Sequence, residues 1–517
     1  MGVNMNIKRA KEEIKNTVWA YLAKDEYGNY CIPYLRQRPI LLMGPPGVGK
    51  TQIMEQVAGE CKVALVAYTI THHTRQSAVG LPFIQKKIYD GKECSVTEYT
   101  MSEIVASIYD KIELSGLKEG ILFIDEINCV SETLAPTMLQ FLQYKSFGNR
   151  RIPEGWVIIT AGNPPEYNRS VREFDTVTLD RVRKISVEPE FSVWKEYAYK
   201  QGIHGAIISY LDIRGENFYR IETTPDGTFF ATARGWEDLS EVLHVSEKLS
   251  LPITEDLVIQ YIQYNTIARD FANYYELYNK YKAVYSIEEI LEGNITQNAI
   301  SKLKRAPFDE KLNVIGLLLT GLTDLFKEVF LTEAYVDILF SYLKEWKQQL
   351  YGLETTSAYE LLNGLALEEE KRLNLKIESG QADKSTVILS NRTRSTLKNY
   401  ANILGESEGE EADIPAEYPA EADRAFDLVK SLFDKEPVKR KETIQKSTAA
   451  LEHVFEFMET VFGEGQEMVV FVTELTVNYY SSKFIGEYGS EMYQKYNRSL
   501  LFEERHKDIM EEIKKMH

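Results

Sequence analysis

The stretch Leu41-Leu42-Met43-Gly44-Pro45-Pro46-Gly47-Val48-Gly49-Lys50-Thr51 constrains this chain more than any other. A short apolar run ends in a glycine-rich turn closed by Lys-Thr, and Gln52 to Ala58 reads on as a helix. Gly44, four residues, then Gly49-Lys50-Thr51 is the spacing of a P-loop. Glycines permit the tight turn and let backbone N–H groups face phosphate oxygens with no Cβ in the way. The helix that follows sets its positive dipole end under the same phosphates. Gly44 through Gln52 is therefore the expected nucleotide cradle. Within it Lys50 reaches the β- and γ-phosphates, and the Thr51 hydroxyl holds Mg²⁺.

Two further strand ends carry polar groups suited to the same chemistry. Ile121-Leu122-Phe123-Ile124 describes a strand buried on both faces, and it ends in Asp125-Glu126. A parallel sheet presents its ligand crevice at such ends. A P-loop metal needs a carboxylate partner, so Asp125 is expected to act on Mg²⁺, directly or through water. Glu126 is expected to polarise the attacking water. Trp156 to Ala161 forms another strand, followed by Gly162-Asn163-Pro164-Pro165. There Asn163 is expected to hold that water or the γ-phosphate, although Asn-Pro also favours plain turns.

Length and charge bound the rest. A chain of 517 residues exceeds one compact core, which predicts two to four domains. A formal net charge of −18 argues against broad binding to nucleic acid or anionic membrane. Cys31, Cys61, Cys94 and Cys129 lack metal-ligand spacing and read as buried reduced thiols. Lys8, Arg9 and Lys11 alternate with Glu12 and Glu13, unlike a signal peptide. No apolar run approaches the ~18 residues of a membrane span. A soluble cytoplasmic protein is expected.

The remaining chain divides by periodicity. Ile7 to Leu22 has helical spacing, suited either to packing beside a bound base or to a plain amphipathic helix. Lys62 to Thr71 reads as a second buried strand. Leu81 to Tyr99 reads as a hairpin turning at Asp90-Gly91. From Thr254 onward the pattern is helical, with separate helices at Leu312–Val329 and Ala334–Leu350, then Arg424–Phe433, Lys439–Phe462, Val469–Lys483 and Tyr488–Lys515. Glu368 to Arg372 reads as a solvated helix face. Gly405 to Asp423 has no basic residue and two prolines, the composition of an acidic linker or loop.

The order of P-loop, hairpin, apolar run with Asp-Glu and strand ending in Asn resembles the AAA+ ATPases, and among them the MoxR-like group of the helix-two-insert clade. The resemblance covers Ile40 to Val242. It implies an α/β fold: a P-loop core with a parallel sheet and helices on both faces, then a helical lid and a mostly helical C-terminal region. The expected divisions are 1–187 for the core, 188–253 for the lid, 254–404 helical, 405–423 acidic linker and 424–517 helical. Asn163 matches sensor 1, and Arg234 in Thr232-Ala233-Arg234-Gly235-Trp236 matches sensor 2. Leu179-Asp180-Arg181 resembles the segment that carries the arginine finger. Val182 replaces its phenylalanine and Arg183 lies close by, so either arginine could serve, with Arg181 favoured. The hairpin Leu81–Tyr99 stands in the place of the clade's insert, and Phe147 to Arg151 in that of a second hairpin. The resemblance further implies an ATP hydrolase using Mg²⁺, working as a homo-oligomeric ring, commonly a hexamer. Its partners would be a von Willebrand A-type domain protein and a protein client to be remodelled. Two other readings stand beside it: a nucleic-acid-associated NTPase of restriction or helicase-like type, disfavoured by the acidic balance, and a nucleotide-gated scaffold.

Overall fold

The computed structural model describes residues 4–72, 75–147, 150–167, 171, 174–225, 227–352, 357–378, 382–410 and 420–498. Six strands build one parallel sheet: β1 (Asn4–Asn6), β2 (Ile40–Met43), β3 (Ala64–Thr69), β4 (Gly120–Asp125), β5 (Trp156–Gly162) and β6 (Arg183–Glu188). Their order across the sheet is β1-β6-β2-β5-β4-β3. The P-loop strand β2 thus lies beside β5, and β5 beside β4. This register brings three sequence-distant strand ends to one edge.

Strand alternation divides the apolar residues between two cores. Ile40, Leu42, Ile121, Phe123, Val157 and Ile159 face helices Ile7–Leu22 and Lys50–Cys61. Leu41, Leu122, Ile124, Trp156 and Ile158 face helices Glu103–Ser115 and Ala135–Tyr144. Burial on both faces explains the near-continuous hydrophobic runs. β3 departs from expectation: it is the sheet's edge, and its second half is partly exposed. The hairpin Pro82–Tyr89 and Lys92–Tyr99 forms as expected, closing at Asp90 and Gly91 with φ of 51° and 74°. Short strands Ser146–Phe147 and Arg150–Arg151 pair, while Gly148 and Asn149 lie outside the described residues.

Among the described residues beyond β6 the regular elements are helices except for one hairpin, Arg220–Thr224 with Gly227–Ala231, missed by the sequence reading. The helices Phe191–Gln201, Gly205–Ile213 and Ala233–Leu249, in the stretch expected to form a lid, share their core with the helical half. Trp194, Trp236 and Leu243 belong to the same buried cluster as Leu318, Phe455, Phe471 and Tyr496. A lysine reinforces the junction: Lys195 Nζ sits 2.5 Å from Asp212 and 2.6 Å from Glu474.

The two helices expected at Leu312–Val329 and Ala334–Leu350 are one helix of 45 residues, Phe308–Gly352, about 68 Å long at helical rise. The apparent break was Thr332-Glu333, polar residues on a buried face. Thr332 donates to Glu328, and Glu333 accepts from Arg440 at 2.7 Å and from Tyr488. Val469–Lys483 is conversely two helices, Gln466–Val477 and Tyr479–Tyr488. Asn478 caps the second by accepting from the Tyr480 and Ser481 N–H groups. The helix Lys384–Glu410 runs into the acidic stretch and Ala420–Phe433 begins within it; residues 411–419 lie outside the described residues. So do residues 499–517, over most of the expected last helix. Within Glu368–Arg372, Glu369 is buried and accepts from the Tyr342 hydroxyl, while Glu370 pairs with Arg394 at 2.7 Å. No two of the four cysteines form a disulfide, and Cys31 and Cys94 are exposed rather than buried. No helix among the described residues is long and apolar enough to cross a membrane.

Glu247 gives this body a pH dependence. His204 accepts the Ala206 N–H at Nδ1, so its Nε2 donates to Glu247 at 3.1 Å; Tyr275 donates to the same oxygen at 2.8 Å. The hydrogen bond from His204, above all, holds the carboxyl at about 2 against an ordinary 4.5. A depressed carboxyl stabilises the fold above its unfolded value, and that contribution drains as pH falls from 4.5 towards 2. With the side chain 37% exposed, solvent screening leaves about 1–2 kcal/mol. Glu247→Gln is expected to lower the urea midpoint at pH 7, and the gap from the parent should narrow by more than half between about pH 5 and 3. A gap constant across that range would show that the carboxylate charge is not what stabilises the junction.

Candidate active site

β2 delivers the chain at Met43 into a loop whose Gly47 and Gly49 have φ of 71° and 90°, the left-handed region. Gly49 opens the helix Lys50–Cys61, and no side chain caps its N-terminus, so the first N–H groups face the loop. Gly47 also admits the lid: a Cβ there would meet Thr232 Cβ and Oγ1 at 3.1 Å.

Lys50 is the centre of the site. It is 7% exposed and donates to the carbonyls of Gly44 at 2.8 Å and Pro45 at 3.0 Å, and to Asn163 Oδ1 at 2.8 Å. Burial pushes its amine down to about 8, with Arg234 adding to the effect and Asp125 and Glu126 opposing it. An amine held by three neutral oxygens is pre-aimed at an anion that arrives in the loop. Thr51 Oγ1 donates to Asp125 Oδ2 at 3.1 Å, so the two expected Mg²⁺ ligands already touch across the sheet edge. A hydroxyl and a carboxylate form the hard oxygen donor set that Mg²⁺ takes beside phosphate. The loop, lysine and donor pair therefore fit a nucleoside triphosphate with its metal.

Glu126 follows β4 with φ of 57°, and its N–H donates to Asp125 Oδ1 at 2.8 Å. This turn hooks the chain over β5, where the Ile127 N–H meets the Ala161 carbonyl at 2.9 Å. Glu126 Oε2 accepts from Thr71 Oγ1 at 3.0 Å. Thr71 escaped the sequence reading, which saw only the end of a strand. Its signal was the parallel pairing Thr69↔Asp125, which places the residues after β3 alongside those after β4.

The lid reaches the same loop. Tyr219 donates from its hydroxyl to the Pro46 carbonyl at 2.6 Å, and Gln52 Nε2 donates to Glu237 at 3.2 Å. Neither lid residue carried a local motif. Arg234 occupies the second position of the helix Ala233–Leu249, whose cap Thr232 accepts from the Gly235 N–H at 3.2 Å. A Cβ at Gly47 would lie 3.5 Å from Arg234 Cβ, so this arginine stands at the loop.

The two finger candidates lie elsewhere. Arg183 pairs with Ile40, at the end of β2 away from the P-loop. Its guanidinium is bound to Glu13 at 2.5 Å and to the Thr17 hydroxyl, on the helix Ile7–Leu22. It is a structural clamp in this subunit and does not join Lys50. Arg181 is exposed, just past the helix Thr176–Leu179, also at the end remote from the loop. Among the described residues no cluster of His, Cys, Asp and Glu could hold a further metal.

The model of the ATPase family associated with various cellular activities (AAA) matches residues 40–179. The matched stretch holds the loop Gly44–Thr51 together with Asp125, Glu126 and Asn163, and Arg183 and Arg234 lie outside it. No curated protein matches the chain. Among solved structures, a proline-to-glycine mutant of RuvB from Thermotoga maritima is 15% identical over 49% of this chain and 69% of that one, with a TM-score of 0.27. An arginine-to-alanine mutant of the same protein is 14% identical over 50% and 69%, also at 0.27. A candidate ATPase from Cytophaga hutchinsonii is 17% identical over 35% of this chain, which spans about half (51%) of that protein, at 0.21.

Proposed function

We propose that this AAA domain binds ATP with Mg²⁺, hydrolyses it, and does so within a ring of identical subunits. The observation that carries the reading is the meeting, at one sheet edge, of Lys50, the Thr51–Asp125 pair, Glu126 and Asn163. Phosphoryl transfer is mostly positioning and charge stabilisation, and these residues supply both. Lys50 and the loop N–H groups bind the phosphates. Thr51 and Asp125 would hold Mg²⁺, which would supply positive charge to offset the negative charge of the phosphates. Glu126 orients and polarises the attacking water, and Asn163 faces the γ-phosphate.

The remaining positive charge comes from arginine. Arg234 enters with the lid, so closure completes the site from within the subunit. Arg181 is exposed and remote from its own P-loop, which suits a finger presented to a neighbour's site and makes turnover depend on assembly. Because the lid shares its core with the helical half, closing over the nucleotide swings both together. The 45-residue helix would carry that swing outward to a client. In this reading the protein is a MoxR-like remodelling ATPase, hexameric, with a von Willebrand A-type domain protein as partner and a protein client.

Phosphate release from Mg-ATP, alongside mass photometry with and without ATP, tests the proposal. Mg²⁺-dependent turnover and a rise to ring-sized assemblies are expected, and Arg181→Ala should assemble yet lose most turnover. Strong stimulation by DNA or RNA would favour the nucleic-acid motor instead. A protein that assembles with ATP and never releases phosphate would be a nucleotide-gated scaffold.

A further inference from the structure

We infer that Asn128 is a positioning residue for ATP hydrolysis, tying the catalytic amide of Asn163 to the turn that carries Glu126. The inference rests on the hydrolytic reading above. Asn128 is 2% exposed, and its Nδ2 donates to the Asn163 backbone carbonyl at 2.8 Å. That carbonyl lies just beyond the last residue of β5 and needs a partner from outside the sheet ladder. Pro164 follows, holding Asn163 extended and contributing no N–H of its own. The Asn128 amide supplies the missing donor.

The neighbouring glycine shows how closely the amide fits. A Cβ on Gly162 would lie 2.4 Å from Asn128 Oδ1 and 2.8 Å from its Cγ. Gly162 in turn accepts from the Gly44 N–H at 3.3 Å, where the P-loop begins. The tip of β5 is therefore fixed from the P-loop side by Gly44 and Lys50, and from the β4 side by Asn128. Asn128 stands two residues after Glu126 on the hooked turn. One short connection thus sets the distance between the group that polarises water and the group that faces the γ-phosphate. A displacement near 1 Å in such a pair costs roughly a hundredfold in rate. Lys50 touches Asn163 as well, but its bonds to the Gly44 and Pro45 carbonyls, and Thr51's bond to Asp125, do not pass through Asn128.

Four variants of the full chain test the role: Asn128→Ala, Asn128→Leu, which keeps similar bulk without a donor, Gly162→Ala, and the double Asn128→Ala/Gly162→Ala. Each is measured for Mg-ATP turnover, KM, affinity for a fluorescent mant-ADP probe, and melting temperature. Both Asn128 variants should lose about tenfold or more in kcat, with KM and probe affinity within about threefold of the parent. Gly162→Ala should lose a similar amount by pushing the amide aside. In the double variant the clash is gone, so its kcat should be no lower than that of Asn128→Ala alone. Turnover of either Asn128 variant within about twofold of the parent, a parallel loss of probe affinity, or multiplying losses in the double variant would overturn the role. If Asn128→Ala does not fold, Asn128→Leu decides. A parent that binds mant-ADP but releases no phosphate removes the hydrolytic reading and this role together. An active parent with neutral Asn128 variants removes only the role.

Discussion

The Glu126→Gln variant is expected to release phosphate at least about a hundredfold more slowly than the parent while still binding nucleotide. The substitution is nearly isosteric. The amide oxygen can still accept from Thr71, and Asp125 still accepts the residue 126 N–H, so the turn and Asp125 keep their places. What disappears is the carboxylate proposed to draw a proton from the attacking water, a contribution of about 10²- to 10⁴-fold for a positioned base. The Lys50 amine, the metal pair and the loop N–H groups are untouched, so mant-ADP affinity should remain within a few-fold. Turnover equal to the parent's would sink the assignment of Glu126. A parallel collapse of affinity would mean that the carboxylate binds rather than activates.

Lys50→Ala should fail one step earlier. The buried amine is placed directly among the loop carbonyls and Asn163, and hydrogen bonds to charged groups each contribute about 1.5–3 kcal/mol. Losing it should weaken nucleotide binding by about two orders of magnitude or more, and turnover with it. The folded state should not suffer equally, since burial already opposes the ammonium form and holds it to about 8. Titration with mant-ADP and a thermal melt separate the two effects. Undiminished affinity would remove the P-loop assignment itself. The pair of variants therefore divides the site: Lys50 for capture, Glu126 for chemistry.

The elements legible in the sequence share one physical property: their signals are local. The P-loop needs a glycine turn within about eight residues, Asp125-Glu126 an apolar run directly before it, and the Asp90-Gly91 turn only its own left-handed backbone. Those rules act over a turn or a strand, so reading along the chain recovers them. Where polarity and position conflict, the same reading fails. Leu312–Val329 and Ala334–Leu350 read as two helices because the partners of the intervening Glu333, Arg440 and Tyr488, lie more than a hundred residues away. The ion pair of Arg183 with Glu13 was equally invisible, because it crosses from strand to helix.

By itself, then, the sequence determined that a P-loop pattern spans Gly44–Thr51 and that two carboxylates and an amide stand at strand ends. Backbone turns and strand burial leave few other places for those residue types. Only the tertiary structure decided which of them meet. The strand order β2-β5-β4-β3 sets Lys50 against Asn163, Asn128 behind Asn163 and Thr71 against Glu126. One shared core joins the lid to the helical half. Sheet register and core packing bring together residues tens to hundreds of positions apart, and no local pattern encodes them.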